Sequence, residues 1–453
     1  MLIFLAMIVH LIHFDAVESE EFINSPYNTR QDTFSDRVVR GSILSADGQV
    51  LARTDVYEDG SENRVYPYSN IFAHVVGYAS NGKSGLESEA NFQLLSSHEY
   101  FVDQMKNQLR GRKNQGDNVI TTLRADLQSV AYNALGDRRG AVVAIEPSTG
   151  KILTMVSKPD FDPNYLEENW DWLVSDETNS SLLNRATNGQ YPPGSTFKVV
   201  TTLDYLRSKG KLSTYSYYCE GSITVDDHTI RCYNGNVHGQ EDFYSAFASS
   251  CNCAFADIGI KLGGDSLRET SESLLFNKEL PLSTAKSSKF TLDKNSDVQL
   301  VMQTAIGQGN TLVSPFHMAL ITSAIANDGV LMKPYLIDRV ENNTGDLVKK
   351  TSKETYKKLL TSSEAEVLQE LMDDVVEYGT AAALSGRGYY AAGKTGSAEF
   401  DESGSSHSWF IGYCDDENGV PGIAVAIIVE NGGTGSEAAV PIAAQMFDTF
   451  YWS

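Results

Sequence analysis

From residue 125 the apolar positions Leu127, Val130, Ala131 and Leu135 recur every three or four residues, which predicts a helix with one apolar face. The period then changes. Gly140-Ala-Val-Val-Ala-Ile-Glu-Pro147 and Lys151-Ile-Leu-Thr-Met-Val-Ser157 are short apolar runs joined by Ser148-Thr149-Gly150, the pattern of a hairpin. A long polar and helical region fills 160–375, and three more strand-like runs follow it, Tyr389 to Ala398, Ser408 to Cys414 and Gly422 to Glu430. Glu437 to Tyr451 reads as a closing helix. Two strands, a helical insert, three strands and a helix predict an α/β fold: a five-stranded antiparallel sheet flanked by helices, with the insert as an all-helical lobe. This domain is assigned to 121–453, and the cleft between sheet and lobe is the natural place for a site. Upstream, 40–91 alternates strand-like runs with turns such as Asp47-Gly48, so 16–120 reads as a strand-rich N-terminal module.

The first residues stand apart. Met1 to Phe14 is apolar, Asp15, Glu18, Glu20 and Glu21 follow, and the first basic residue is Arg30. A membrane helix needs roughly 20 apolar residues, more than this run offers. Residues 1–15 therefore read as the tail of a signal anchor that begins further upstream, as a buried core segment, or as a cleaved signal. The acidic flank favours export, because cytoplasmic flanks tend to be basic.

Composition narrows the function classes. With 36 basic and 59 acidic side chains the formal charge is −23, which would repel phosphate backbones, so no nucleic-acid partner is expected. Five Cys in 453 residues exclude a disulfide-stapled miniature. Cys219 and Cys232 bracket a hairpin-like stretch containing His228, and three readings stand: a disulfide closing a short loop, ordinary buried thiols, or a metal site with His228 and His238. The last lacks a tight C-x-x-C pair.

Chemistry is signalled by three short motifs in order. Ser-x-x-Lys occurs five times, at Ser80, Ser148, Ser195, Ser208 and Ser283. Only Ser195 opens a helical pattern (Phe197, Val200, Leu203, Leu206), directly after Tyr191-Pro192-Pro193-Gly194. Unpaired N–H groups at a helix start can hold an oxyanion, and Lys198, one turn on, can take the hydroxyl proton if its amine is neutral. By itself Ser195 reads first as a helix cap after a Pro-Gly turn. Its company changes that. Ser250-Cys251-Asn252 is the one Ser-x-Asn triplet after Ser195, and Lys394-Thr395-Gly396 is the single Lys-Thr-Gly, set in a strand-like run with Ser397 next. This ordered set is the serine acyl-transfer signature of penicillin-binding proteins and class A β-lactamases.

The chain resembles a class B penicillin-binding protein, a monofunctional peptidoglycan D,D-transpeptidase. The likeness runs from about Arg40 to Tyr451 and includes Arg40-Gly41, Gly85-Leu86-Glu87, the Gly140–Gly150 run, the Tyr191–Ser195 box, His238-Gly239, Ile306-Gly307-Gln308-Gly309 and His407-Ser-Trp409-Phe-Ile-Gly412. Ser45-Ala46-Asp47 departs from it, lacking the usual Asp-Arg. The resemblance implies Ser195 as nucleophile, Lys198 as base, Ser250 as proton relay, and Asn252 holding both substrate backbone and Lys198. It implies Lys394 and Thr395 on the substrate carboxylate, Gly396 keeping the strand approachable, and the Ser195 and Ser397 N–H groups as oxyanion hole. Stem peptides and β-lactams are the expected ligands, with no metal or organic cofactor. A single-pass membrane location with the catalytic domain outside, and a glycosyltransferase polymerase as partner, are implied as well. A β-lactamase or β-lactam receptor, a D,D-carboxypeptidase and a non-catalytic wall-synthesis scaffold are the alternatives.

Overall fold

The computed structural model describes residues 36–399 and 406–452, with Phe4, Ala6, Met7, Ile8 and His10. Apart from those five, the apolar segment 1–15 lies outside the described residues. No helix among the described residues is long and apolar enough to cross a membrane.

The chain folds as two compact units, one of residues 1–125, 160–182 and 336–352, the other of 126–159, 183–335 and 353–453. The linear division at residue 120 placed both returning segments with the second unit. They return to the first because each completes a structure there. Segment 336–352 supplies strands Ile337–Glu341 and Leu347–Lys350, the former antiparallel to Asn118–Thr121 with Val340 opposite Val119. A six-stranded sheet results. Segment 160–182 supplies helix Leu166–Ser175, whose Leu166 and Leu173 pack with Phe161 on Ala73.

This unit is less strand-dominated than its sequence suggests, since short helices Ala73–Val76, Gly85–Glu89, Asn91–Leu94 and Phe101–Leu109 occupy its middle. At its centre, Glu87 receives Arg40 Nε and Arg64 Nε, each at 2.7 Å, and the Tyr66 hydroxyl at 3.2 Å. Burial alone would push the Glu87 carboxyl up, but the two guanidinium groups hold it below the usual range. The Arg40 and Glu87 motifs of the sequence are thus two halves of one buried ion cluster.

The second unit is built on five strands: β1 (Gly140–Ile145), β2 (Ile152–Lys158), β3 (Ala391–Glu399), β4 (Ser406–Asp415) and β5 (Pro421–Val429). Their order is β3-β4-β5-β1-β2, every pair antiparallel. β1 is buried at all six positions and β5 at all but its first, as expected of strands covered on both faces. Helices α1 (Ala125–Leu135), α2 (Lys198–Lys209), α3 (Asn252–Leu262), α4 (Val298–Ala305), α5 (Pro315–Ala326), α6 (Ser362–Glu377) and α7 (Val440–Trp452) complete the element set used below. α5 is buried along its whole length and packs on β1, β4 and β5. α7 meets β4 and β5, with Phe447 edge-on to Phe410. The sheet-and-helix layering matches the sequence pattern. The insert carrying α2, α3 and α4 is helical but also holds three short ladders among the described residues, Ser216–Cys219 with Gly239–Asp242, Ser222–Val225 with His228–Arg231 and Val330–Met332 with Thr355–Lys358.

Candidate active site

Ser195 sits on a tight turn that the sequence compels. Gly194 has φ +55°, and a Cβ there would lie 2.8 Å from Ser397 O. Its N–H donates to Gly307 O at 2.9 Å, and a Cβ on Gly307 (φ +84°) would fall 1.8 Å from Gly194 O. Both positions admit only glycine. Trp409 Nε1 donates to Pro192 O at 3.0 Å and the Thr196 hydroxyl to Pro193 O at 2.7 Å, tying the turn to β4 and to itself. Gly194–Phe197 is a 3₁₀ turn that runs into α2 at Lys198. Three residues per turn eclipse positions i and i+3, so Ser195 and Lys198 share one face.

Lys198 is fully buried. Its Nζ donates to Ser250 O at 2.6 Å, to Ser250 Oγ at 3.1 Å and to Asn252 Oδ1 at 2.8 Å. Burial pushes its amine down to about 8. Lys394, on β3 opposite Ile411, is also fully buried and donates to Ser250 Oγ at 2.9 Å and to Thr395 O at 3.2 Å. Burial, and then the charge of Lys198, hold the Lys394 amine well below its ordinary value. Ser250 Oγ therefore accepts from two lysines, using both lone pairs, and its own proton is left to donate.

Ser250 holds φ +58°, a left-handed conformation that costs a non-glycine residue about 1–2 kcal/mol. This bend lets residue 250 face both lysines while Cys251 caps α3 and Asn252 begins it. Asn252 Nδ2 donates to Arg231 O at 3.1 Å, fixing the hairpin beside the triplet.

β3 is the edge strand of the sheet, so its outer main chain is unpaired within the sheet. Ser195, Ser250, Asn252, Thr395, Gly396 and Ser397 all line one cleft of about 1540 Å³. Lys198 and Lys394 lie beneath its surface and reach it through Ser250. A Cβ on Gly396 would come within 3.1 Å of Thr196 Cγ2 and 3.2 Å of Pro193 O, so the strand approaches the serine turn as closely as the missing side chain allows. All eight residues singled out in the sequence surround this cleft.

Others were not anticipated. Thr380 shares a short hydroxyl hydrogen bond with Thr395, a contact no local pattern announces. Arg231 is the one Lys, Arg, Asp or Glu among the described lining residues. Tyr191 and Glu430 work behind the serine turn: the Tyr191 hydroxyl donates to Glu430 Oε1 at 2.8 Å, Arg185 pairs with the same oxygen at 2.8 Å, and the Tyr191 ring stands edge-on to Trp409.

The cysteine alternatives are also decided by geometry. The Cys219 and Cys232 sulfurs are 3.7 Å apart and all five cysteines are unbridged and buried, so the loop is not closed by a disulfide. His228 does not join them. Instead Cys219, Cys232, His238 and Cys251 bring four sulfur and nitrogen atoms within 4.8 Å of one another, with the Cys253 sulfur 3.4 Å from that of Cys232.

The sheet, the insert and the shared hydroxyl define a serine acyl-transferase of the penicillin-binding type. Residues 140–448 match the penicillin binding protein transpeptidase domain, and residues 40–119 match the penicillin binding protein A dimerisation domain. The chain belongs to the penicillin-binding protein transpeptidase family, class B. Similar proteins include the peptidoglycan D,D-transpeptidase PbpA of Mycolicibacterium smegmatis, 34% identical over 89% of this chain and 87% of the relative. The peptidoglycan D,D-transpeptidase MrdA of Acinetobacter baumannii is 29% identical over 86% of this chain and 66% of its own. Among solved structures, penicillin-binding protein A from Mycobacterium tuberculosis as a ceftriaxone acyl-enzyme superposes with TM-score 0.84 at 30% identity, covering 93% of this chain and 99% of that one.

Proposed function

We propose that this protein cross-links peptidoglycan stem peptides by D-Ala-D-Ala transpeptidation through a Ser195 acyl-enzyme, and that β-lactams trap it by acylating the same serine. The observation that carries the residue assignment is Ser250 Oγ held between Lys198 and Lys394 on the wall of the cleft that Ser195 lines.

The terminal carboxylate of the donor peptide lies along the edge of β3, against Lys394 and the hydroxyls of Thr395 and Thr380. Ser195 Oγ attacks the penultimate carbonyl. Lys198, its amine made basic near neutrality by burial, takes the proton, and the Ser195 and Ser397 N–H groups receive the oxyanion. Ser250, with both lone pairs occupied, delivers a proton to the departing D-Ala nitrogen and is reprotonated through its lysines. Asn252 holds Lys198 in line and offers its remaining amide hydrogen to the peptide. An amine of a second stem peptide then takes the acyl group. A β-lactam keeps its leaving group tethered, so the acyl-enzyme persists.

The match of residues 140–448 to the penicillin binding protein transpeptidase domain supports an amine acceptor over the hydrolysis that a β-lactamase or a carboxypeptidase performs. Anchoring through residues 1–15 and an extracytoplasmic catalytic unit are supported by the apolar start and its acidic flank, and a glycosyltransferase polymerase partner by the family resemblance alone.

The test is mass spectrometry after penicillin exposure. The penicilloyl group is expected on the peptide carrying Ser195 and lost in Ser195→Ala; an adduct on any other peptide overturns the assignment.

A further inference from the structure

We infer that Arg231 receives a carboxylate of the donor stem peptide, on the residue that precedes D-Ala-D-Ala. The enzyme then favours stem peptides whose third side chain ends in an ammonium and a carboxylate together over those ending in an ammonium alone. This deepens the reading of the cleft given above and rests on it.

Charge is the first observation. The chain carries a formal −23, yet the one Lys, Arg, Asp or Glu among the described residues lining the cleft is cationic. Arg231 is exposed there. Its main chain is engaged, standing opposite Ser222 in the hairpin ladder and accepting from Asn252 Nδ2 at 3.1 Å, while among the described residues its guanidinium enters no ion pair or hydrogen bond. Arginines such as Arg185 and Arg207 are by contrast held by Glu430 and Glu364. The cleft therefore presents an open cationic fork in a molecule rich in acid.

Position is the second observation. Asn252 links Arg231 to the proposed base, since its Oδ1 accepts from Lys198 Nζ at 2.8 Å while its Nδ2 holds Arg231 O. Residues 229–236 line the cleft without a break, as do Thr395, Gly396 and Ser397 of β3. A donor whose terminal carboxylate lies against Lys394 and Thr395, and whose scissile carbonyl meets Ser195, passes Asn252 with its penultimate residue. The residue before that one comes next to Arg231.

The chemistry of the fork sets the preference. A guanidinium offers parallel N–H donors to a carboxylate and has no atom that accepts from an ammonium. A third side chain ending only in an ammonium meets like charge, whereas a diamino dicarboxylic acid brings a carboxylate that the fork can hold. Because an exposed charge pair is worth little and a bidentate one more, the discrimination should be about tenfold.

Two penicillins test this on the intact protein. In both, the acylamido group takes the place of the third residue and ends in an amino acid; in one its carboxylate is free, and in the other it is a carboxamide. The rate constants for acylation of Ser195 are compared by mass spectrometry, and in the wild type the free acid should react about tenfold faster. The ratio should fall to about one in Arg231→Gln, stay above one in Arg231→Lys, which keeps the charge without the fork, and drop below one in Arg231→Glu. A merely structural role for Arg231 would slow both penicillins alike and leave the ratio unmoved. A wild-type ratio of about one, or a ratio untouched by Arg231→Gln, would overturn the inference while leaving the Ser195 reading standing. Failure of both penicillins to label Ser195 would overturn that reading and this inference with it.

Discussion

At the scale of single residues, the site turns on how burial sets two amines against each other. Lys198 and Lys394 share one acceptor, Ser250 Oγ, and their hydrogen bonds among the described residues go to hydroxyl, carbonyl and amide oxygens rather than to a carboxylate. Lys198 works as a base only when neutral, and its value of about 8 makes the sign of the pH dependence definite. The rate of penicillin acylation should rise with pH to a plateau above about 8 and fall close to tenfold per unit below it, which a stopped-flow pH profile would check. Lys198→Met should lower the acylation rate about 10²–10⁴-fold while leaving the thermal midpoint unchanged or raised, since the replacement removes a buried amine. Gly307→Ala belongs here too. The new methyl meets Gly194 O and φ is strained, so loss of acylation with a Ser195 turn displaced is expected, whereas the same change at exposed Gly210 should leave acylation intact.

Elements decide what those residues can reach. The 3₁₀ turn before α2 places Ser195 above Lys198, the short helix Phe243–Ala248 leads through Ser249 into the Ser250 bend, and the edge position of β3 offers a strand to the substrate. α5 shows how strictly the core is specified. His317 is wholly buried on it, with Nδ1 facing Ser288 Oγ at 2.8 Å and Nε2 facing Leu274 O at 2.7 Å, so the neutral imidazole is satisfied on both sides. Burial pushes its pKa down to about 4. The unfolded chain binds a proton near pH 6.5 that the folded chain refuses, so stability is full above pH 6.5 and declines as pH falls towards 4. The loss amounts to about 3 kcal/mol and should be absent in a His317→Gln variant, as denaturant titrations at pH 7 and pH 4.5 would show.

For the molecule as a whole, each unit has its own polar centre. Glu87→Gln leaves Arg40 and Arg64 in the first unit without their counter-charge and should destabilise that unit by about 3–5 kcal/mol. Limited proteolysis should then cut within residues 40–119 before it cuts within 140–448, and equal rates would contradict the independence of the ion cluster. The division into units was only partly legible beforehand. Residues 160–182 and 336–352 carry no signal that they leave the second unit, because a strand or helix is written the same way whichever sheet or core it completes.

Local pattern determined much about this protein. The five central strands and the helices at 125–135 and after 437 follow from period and turn residues, and the three motifs follow from their order and rarity along the chain. The rest was decided by tertiary structure. That Ser250 accepts from both lysines, that Thr380 joins Thr395, and that His238 and Cys251 rather than His228 stand with Cys219 and Cys232 are meetings of side chains from distant stretches. Backbone propensity acts over a few residues and leaves a trace in the sequence, whereas a shared hydroxyl or a cluster of thiols depends on the three-dimensional path of the chain and leaves none.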